Sequence, residues 1–221
     1  MYPTLSASQM RWSGWILFGG SILLIIVNLL GLSLPASSSG LPSIPLSILE
    51  LIGGLLLTVG LPATYLKQRK EVATLGLVGF FLLWISSFLI TVVLSGYAIF
   101  YTATTPPSAH PNTAATVPAF IQYIASTGLL QIIGTLLYGT VSIRARVFTR
   151  SAGILLIAAV VVSLPQLFIA GALTALIGLL STFLLLAGLA RMGFSLARWP
   201  DDEGEEPLQE EEPTTMKDYT S

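Results

Sequence analysis

Residues 151–190 read SAGILLIAAVVVSLPQLFIAGALTALIGLLSTFLLLAGLA, a run of 40 residues without a charged side chain. As one α-helix, rising about 1.5 Å per residue, this run would measure about 60 Å, twice the roughly 30 Å of a bilayer's hydrocarbon core. It therefore predicts two membrane-spanning helices joined by a turn. We expect the turn at Ser163–Gln166, because the residue before Pro165 avoids helical geometry. A kink there, with the turn nearer Gly171, is the alternative.

The composition of the whole 221-residue chain also indicates a membrane protein. Its residues are 53% hydrophobic and only 10% charged, whereas a soluble domain has roughly 25% charged residues. A water-soluble globule of this composition would expose much of its apolar content. Backbone that faces lipid must be helical or form a closed barrel. The helix-length apolar runs predict an all-α, polytopic membrane helix bundle, and the lipid bilayer is its first partner.

Apolar runs of spanning length recur along the chain. The predicted spans are residues 13–32, 47–66, 72–101, 118–143, 149–164 and 167–190, which form one transmembrane domain over residues 1–198. The third is long enough that it must tilt or project from the membrane, and Ser95–Gly96 is where we expect it to loosen. The chain is thus predicted to have six transmembrane helices.

Basic residues lie on one side of this layout. With a cytoplasmic N-terminus, the inner segments hold all ten of them: Arg11, Lys67, Arg69, Lys70, Arg144, Arg146, Arg150, Arg191, Arg198 and Lys217. The external loops, residues 33–46 and 102–117, hold none. Cytoplasmic loops of membrane proteins carry an excess of Lys and Arg. We therefore expect both termini to lie in the cytoplasm. We also expect a multi-pass protein of the plasma membrane, specifically of a bacterial inner membrane.

A cleaved signal peptide is the competing interpretation of the first span. Ala36-Ser37-Ser38 offers small residues that suit a signal peptidase. The apolar run before it is longer than the roughly 7–15 residues of a signal core. We expect the span to be retained.

The stretch 143–156, IRARVFTRSAGILL, carries a family resemblance. It resembles the basic Arg-x-Arg junction before the fifth helix of small uncharacterised bacterial six-span integral membrane proteins, often written with a Pro-Arg step and Trp-Ala-Gly. Thr149 stands where Pro is frequent, and Ser151 where Trp is frequent. The resemblance implies a bacterial membrane protein and no particular chemistry.

Glu50 is the one acidic residue near the predicted hydrocarbon region. Ionisable groups at membrane depth often bind protons or substrates. However, Ser47 and Glu50 have the spacing of a capping box, in which Glu50 would accept from backbone donors at a helix start. We expect the cap, and keep a functional carboxylate at the outer mouth of a solute path as the alternative.

A polar stripe marks one face of the fourth span. Its members recur at helical spacing and are Thr127, Gln131, Gly134, Tyr138 and Ser142. The third span has a similar stripe of Trp84, Ser87, Thr91 and Ser95. Such faces turn away from lipid, where they bond neighbouring helices or line a solute path. We expect packing, with the Gln131 amide held by Ser87, Thr91 or Trp84.

Catalytic and metal-binding patterns are absent from the sequence. The chain has no Cys and one His, His110, so we expect no zinc, iron–sulfur or haem site. It contains no nucleophile elbow, no His-Glu-x-x-His and no phosphate-binding loop. We expect no enzyme, no catalytic residues, no cofactor and no metal.

Residues 199–221 form an acidic tail. Nine of the eleven acidic residues of the chain lie between Asp201 and Asp218, and so polar a segment cannot bury enough surface to offset the entropy of ordering. We predict a disordered cytoplasmic tail that keeps the chain soluble or recruits a basic cytoplasmic partner. A nucleic-acid partner is not expected.

These observations leave two function classes. The first is a structural, accessory or interaction protein that binds another membrane protein, which needs no special residues. The second is a carrier or channel for a small solute, which would use the polar faces of the third and fourth spans. Carriers usually contain broken helices or midplane charges, and the sequence offers only Pro62 and Pro165 as breaks. The sequence therefore favours the first class.

Overall fold

The structure, a computed structural model, describes residues 6–33, 43–69, 71–72, 74–104, 119–168 and 172–198. These residues are helical apart from short turns, and no strand occurs among them. The helices are α1 (Ala7–Ser33), α2 (Ile44–Gln68), α3 (Thr74–Ser87), α4 (Leu94–Thr104), α5 (Ala119–Ala145), α6 (Arg150–Ser163) and α7 (Ala172–Ala197). A π-helical segment, Phe88–Val93, joins α3 to α4. The predicted tail, residues 199–221, lies outside the described residues.

Five helices of the described chain are long and apolar enough to cross a membrane: α1, α2, the continuous helix Thr74–Thr104, the Thr127–Ala145 part of α5, and the Leu173–Ala197 part of α7. The prediction of an all-helical protein with several apolar helices is therefore confirmed. The remaining apolar helix, Arg150–Gln166, is shorter. It occupies the predicted fifth span.

The turn between α6 and α7 differs from the predicted position. Leu164 keeps helical dihedral angles, φ −54° and ψ −42°, although it precedes proline. A 3₁₀ turn then continues the helix through Leu164–Leu167, with Pro165 near its start. The helical chain therefore continues past the predicted turn to Leu167, and α7 begins at Ala172. The alternative turn near Gly171 falls on residues 169–171, which lie outside the described residues.

The third span bends elsewhere than the sequence suggested. The predicted loosening at Ser95–Gly96 is regular α-helix in α4, and the irregular part is the π segment Phe88–Val93. Thr91 lies in that segment and donates its hydroxyl to the Ser87 carbonyl at 2.7 Å. The helix is thus continuous but has one widened turn near its middle.

The helices pack in a closed ring. α1 contacts α2 and α7, α6 lies between α5 and α7, and α3 packs on α5. α2 completes the ring through the π segment and α4. Side chains that point into the ring therefore meet several helices, while the opposite faces expose large apolar side chains.

Glycines allow neighbouring backbones to approach closely. A Cβ on Gly14 of α1 would lie 2.7 Å from the Gly193 carbonyl oxygen of α7. One on Gly20 would lie 2.8 Å from the Leu57 amide nitrogen of α2. Such contacts are tighter than any real Cβ makes. Small residues at helix interfaces let van der Waals packing hold membrane helices together, and here they hold α1 in the ring.

The end of α2 lies near the basic junction between α5 and α6. The Lys67 ammonium, at the end of α2, is 5.1 Å from the ring centroid of Phe148, a buried residue in the turn between α5 and α6. In the same turn, Arg146 adopts the left-handed conformation with φ 53°, which commonly ends a helix. The α2 end and the basic α5–α6 junction therefore share one end of the bundle.

Candidate functional site

Part of the polar stripe of α5 is used in hydrogen bonds to α2. The hydroxyls of Tyr138 and Thr64 are 2.6 Å apart. Because Thr64 donates to the Leu61 carbonyl at 2.7 Å, the Tyr138 hydroxyl is the donor to Thr64. One turn further, the side-chain amide of Gln68 donates to the Ser142 hydroxyl at 3.1 Å, and Ser142 donates back to the side-chain oxygen of Gln68 at 3.2 Å. All four residues are buried, so this end of the stripe acts as helix packing.

A cavity of about 220 Å³ opens at the other end of the stripe, between α5, α6 and α7. Its polar lining consists of Gln131, Thr135, Ser163, Gln166, Ser181 and Thr182. Two glycines, Gly128 and Gly178, also line it and leave room for it. The lining contains no charged side chain. Polar groups from three otherwise apolar helices thus converge on one space.

Three of the four hydroxyl groups that line the cavity already have acceptors for their hydrogens. Ser163 donates to the Val160 carbonyl at 2.7 Å, and Thr182 donates to the Gly178 carbonyl at 2.9 Å. Ser181 donates across to the Ala159 carbonyl of α6 at 2.9 Å. These oxygens therefore retain lone pairs as acceptors. The amides of Gln131 and Gln166 each add donors and an acceptor, so the lining can bond an uncharged molecule that has both kinds of group.

The polar residues of the third span face α2. Trp84 donates its indole N–H to the Thr58 carbonyl at 2.9 Å. A Cβ on Gly54 of α2 would lie 2.5 Å from the Thr91 hydroxyl oxygen. Ser87 is buried and accepts from Thr91 through its carbonyl. Within the described residues, no hydrogen bond joins Gln131 to Trp84, Ser87 or Thr91, and the contacts of Trp84 and Thr91 are with α2 instead.

Thr127 is buried one turn before Gln131 on α5. The candidate residues of this helix thus divide: Gln131 lines the cavity, Tyr138 bonds α2, and Thr127 is packed in the interior. A helical period predicts that residues share a face, but not which neighbour each meets.

The capping-box prediction for Glu50 is wrong. α2 begins at Ile44, with Ser43 at its N-cap and Pro45 close to the start. The helix therefore begins about one turn earlier, because proline is favoured in the first turn. Ser47 lies inside the helix, and its buried hydroxyl has no hydrogen bond within the described chain. Glu50 instead lies beside Ser95 of α4.

The sequence reasoning missed the residues that α6 and α7 contribute to the cavity. Ser163, Gln166, Ser181 and Thr182 are polar residues in the same uncharged run that predicted two spans. Their signal was available: polar residues in apolar spans turn away from lipid. Ser163 and Gln166 were instead assigned to the predicted turn between two spans, so their approach to Ser181 and Thr182 was not predicted.

The stretch that carries the family resemblance forms the end of α5, the following turn and the start of α6. On both helices the cavity lining lies further from that turn. The resemblance therefore says nothing about the cavity.

Comparisons of the chain with protein-family models, with curated proteins and with solved structures give no match.

Proposed function

We propose that this chain is a multi-pass membrane protein of the carrier or channel class that binds a small uncharged polar solute. The observation that carries the proposal is the cavity between α5, α6 and α7, with its six polar side chains. Its volume, about 220 Å³, is below the roughly 300–1,000 Å³ of pockets for drug-sized ligands. The solute is therefore small.

The lining also selects the chemistry of the solute. An ion would leave water for a site without a compensating charge, which is costly at membrane depth. An uncharged solute with hydroxyl or amide groups would instead bond the two glutamine amides and the hydroxyl oxygens. No catalytic residue or cofactor is needed for this binding, and the proposal is of binding and passage without an enzymatic step.

The proposed topology has six spans and both termini in the cytoplasm, in the plasma membrane of a bacterium. α6, in the predicted fifth span, supports a total of six spans despite its short length. Its 14 residues and the following 4 of the 3₁₀ turn rise about 29 Å together, close to the roughly 30 Å of the hydrocarbon core. The basic residues, absent from both external loops, support the orientation.

Single cysteines test the topology, since the native chain has none. Ser38→Cys and Ala109→Cys should react with an impermeant thiol reagent in intact cells, because both lie in the proposed external loops. Thr215→Cys should react only after the cells are opened. Labelling of Thr215→Cys in sealed cells would overturn the orientation.

Cysteines on α5 and α7 test the cavity. Gln131→Cys and Thr182→Cys should react with a small charged methanethiosulfonate, because a water-filled space reaches both positions. Matched controls are Leu129→Cys and Leu136→Cys, whose native side chains are 57% and 42% exposed on the outer face of the same helix. Lipid should shield these from a charged reagent. Ser142→Cys, in the bonded part of the stripe, should also stay unmodified.

Two labelling patterns would decide against the solute site. Uniform protection of Gln131→Cys and Thr182→Cys would mean that water does not enter. Equal labelling of the cavity positions and the Leu129 and Leu136 controls would mean that the reagent reaches the helix without a defined path. The expected pattern is periodic, with reaction on the cavity face alone.

A structural or accessory protein is the second candidate function. The observation that favours it is the buried network of Tyr138, Thr64, Gln68 and Ser142, which uses polar residues for helix packing alone. Its partner would be another membrane protein, or a basic cytoplasmic partner bound through the acidic tail. Co-purification in mild detergent that depends on residues 199–221, together with a protected cavity, would favour it.

A further inference from the structure

A second polar site lies between α2 and the helix formed by the π segment and α4. Ser47, Glu50, Gly54 and Thr58 share one stripe of α2, at spacings i, i+3, i+7 and i+11. The contacts of Gly54 with Thr91 and of Thr58 with Trp84 show that this stripe faces the third span. Glu50 lies beside Ser95 of α4. A half-buried carboxylate therefore lies on the α2 face that meets the third span, away from the solute cavity.

Two buried hydroxyls on these faces lack partners. Ser47 is 1% exposed and Ser95 is 2% exposed, and neither side-chain oxygen makes a hydrogen bond within the described chain. Other hydroxyls behave differently: those of Ser21, Thr58 and Thr102 donate to the carbonyl one turn earlier, within 2.8 Å. A buried polar group without a partner is uncommon and costly. These two oxygens are therefore available to a ligand.

The π segment helps to place Ser95. Positions 87, 91 and 95 are four residues apart, and on a regular α-helix each such step drifts by about 40° around the axis. The wider turn of a π-helix offsets part of this drift, so Thr91 at Gly54 and Ser95 at Glu50 both face α2. π-Helical turns occur frequently at functional sites. Here the irregular turn keeps Ser95 on the side of the helix that faces Glu50.

We propose that Glu50, Ser95 and Ser47 bind one alkali-metal cation. Carboxylate and hydroxyl oxygens are hard ligands, which suit hard cations. A single carboxylate balances a single positive charge, whereas a divalent ion would leave a net charge at membrane depth. Lys67, the basic residue on the same helix, is 17 residues away, or about 25 Å. The bound cation would therefore balance the negative charge of Glu50, which the basic residue of its own helix is too far away to do.

Binding of ²²Na⁺ and of ⁸⁶Rb⁺, a substitute for K⁺, to the purified full-length protein tests the proposal. Choline chloride keeps the ionic strength constant. The wild-type protein should bind at least one of the two ions saturably, and which ion it prefers identifies the cation. Glu50→Gln should weaken this binding by about tenfold or more, the scale of effect seen when metal sites lose a supporting group.

Two serine variants separate ion binding from folding. Ser95→Ala and Ser47→Ala each remove a hydroxyl that has no hydrogen-bond partner among the described residues, so both should keep the wild-type melting temperature while binding the ion more weakly. Glu71→Gln is the matched control. Glu71 is the other acidic residue outside the tail, and it is exposed in the turn after α2, so this variant should bind like wild type.

The outcomes that would overturn the cation site are definite. The absence of saturable binding of both ions by the wild-type protein is one. Wild-type affinity in Ser95→Ala and Ser47→Ala, both folded, is another. Since the site is separate from the cavity of α5, α6 and α7, failure of this test leaves the labelling pattern of the solute cavity unchanged, and the two proposals fail independently.

Discussion

Gly14→Ala should destabilise the protein by about 3 kcal/mol or more, at the upper end of overpacking effects. The added methyl group would lie 2.7 Å from the Gly193 carbonyl oxygen and against the Ala197 amide nitrogen. Both are backbone atoms, which cannot rotate aside as a flexible side chain can. α1 and α7 must then move apart, and the ring opens at the point where its first and last helices meet.

Gly19→Ala is the control on the same helix. Nothing lies within 4 Å of the position that its Cβ would take, so stability should be unchanged, or higher by up to about 1 kcal/mol from the better helix propensity of alanine. Thermal unfolding in detergent compares the two variants. Equal melting temperatures for Gly14→Ala and Gly19→Ala would show that α1 and α7 are not in close contact.

Much of the fold could be predicted because the bilayer sets the lengths of the helices. The fourth span was expected at residues 118–143 and α5 is Ala119–Ala145. The second was expected at residues 47–66 and α2 is Ile44–Gln68. Apolar length and charged ends determine such bounds. The start of α2 was predicted too late, because Ser47 and Glu50 have the spacing of a capping box but lie inside the helix.

Helix pairing could not be predicted from the periodicity. Gln131 and Tyr138 belong to one stripe, two turns apart, yet one lines the cavity and the other bonds α2. Each helix of the ring touches different neighbours at different heights, so one inward face meets several partners. Pairing depends on where glycines let backbones approach, as between Gly79 and the Tyr138 amide nitrogen. This fit between two backbones depends on both helices, so the sequence of one helix alone does not predict it.

The resulting site assignment separates two kinds of polar residue that look alike in the sequence. Residues with partners on a neighbouring helix, such as Tyr138 and Ser142, stabilise the ring. Residues that face a cavity or lack a hydrogen-bond partner among the described residues, such as Gln131 and Ser95, do not stabilise the ring through hydrogen bonds between helices. If this separation is right, substitutions in the first group should change stability, and substitutions in the second should change binding.

Tyr138→Ala tests the first group and should have an effect as large as that of Gly14→Ala. Tyr138 is completely buried. Its ring centroid is 6.1 Å from that of Phe80, which in turn stacks on Tyr65 at 5.0 Å. Truncation would remove this contact, leave a cavity and strip Thr64 of its donor. Loss of a buried aromatic side chain costs about 3–5 kcal/mol.

Two further variants divide that effect into its parts. Tyr138→Phe keeps the ring and removes only the hydrogen bond to Thr64, so it should cost about 0.6 to 2 kcal/mol, the range for interhelical hydrogen bonds in membranes. Phe81→Ala is the matched control, because Phe81 also adjoins Phe80 but is 47% exposed on the outer face. Its loss should cost much less, since lipid tails replace the ring. A Tyr138→Ala protein that melts no lower than Phe81→Ala would show that Tyr138 does not hold α2, α3 and α5 together.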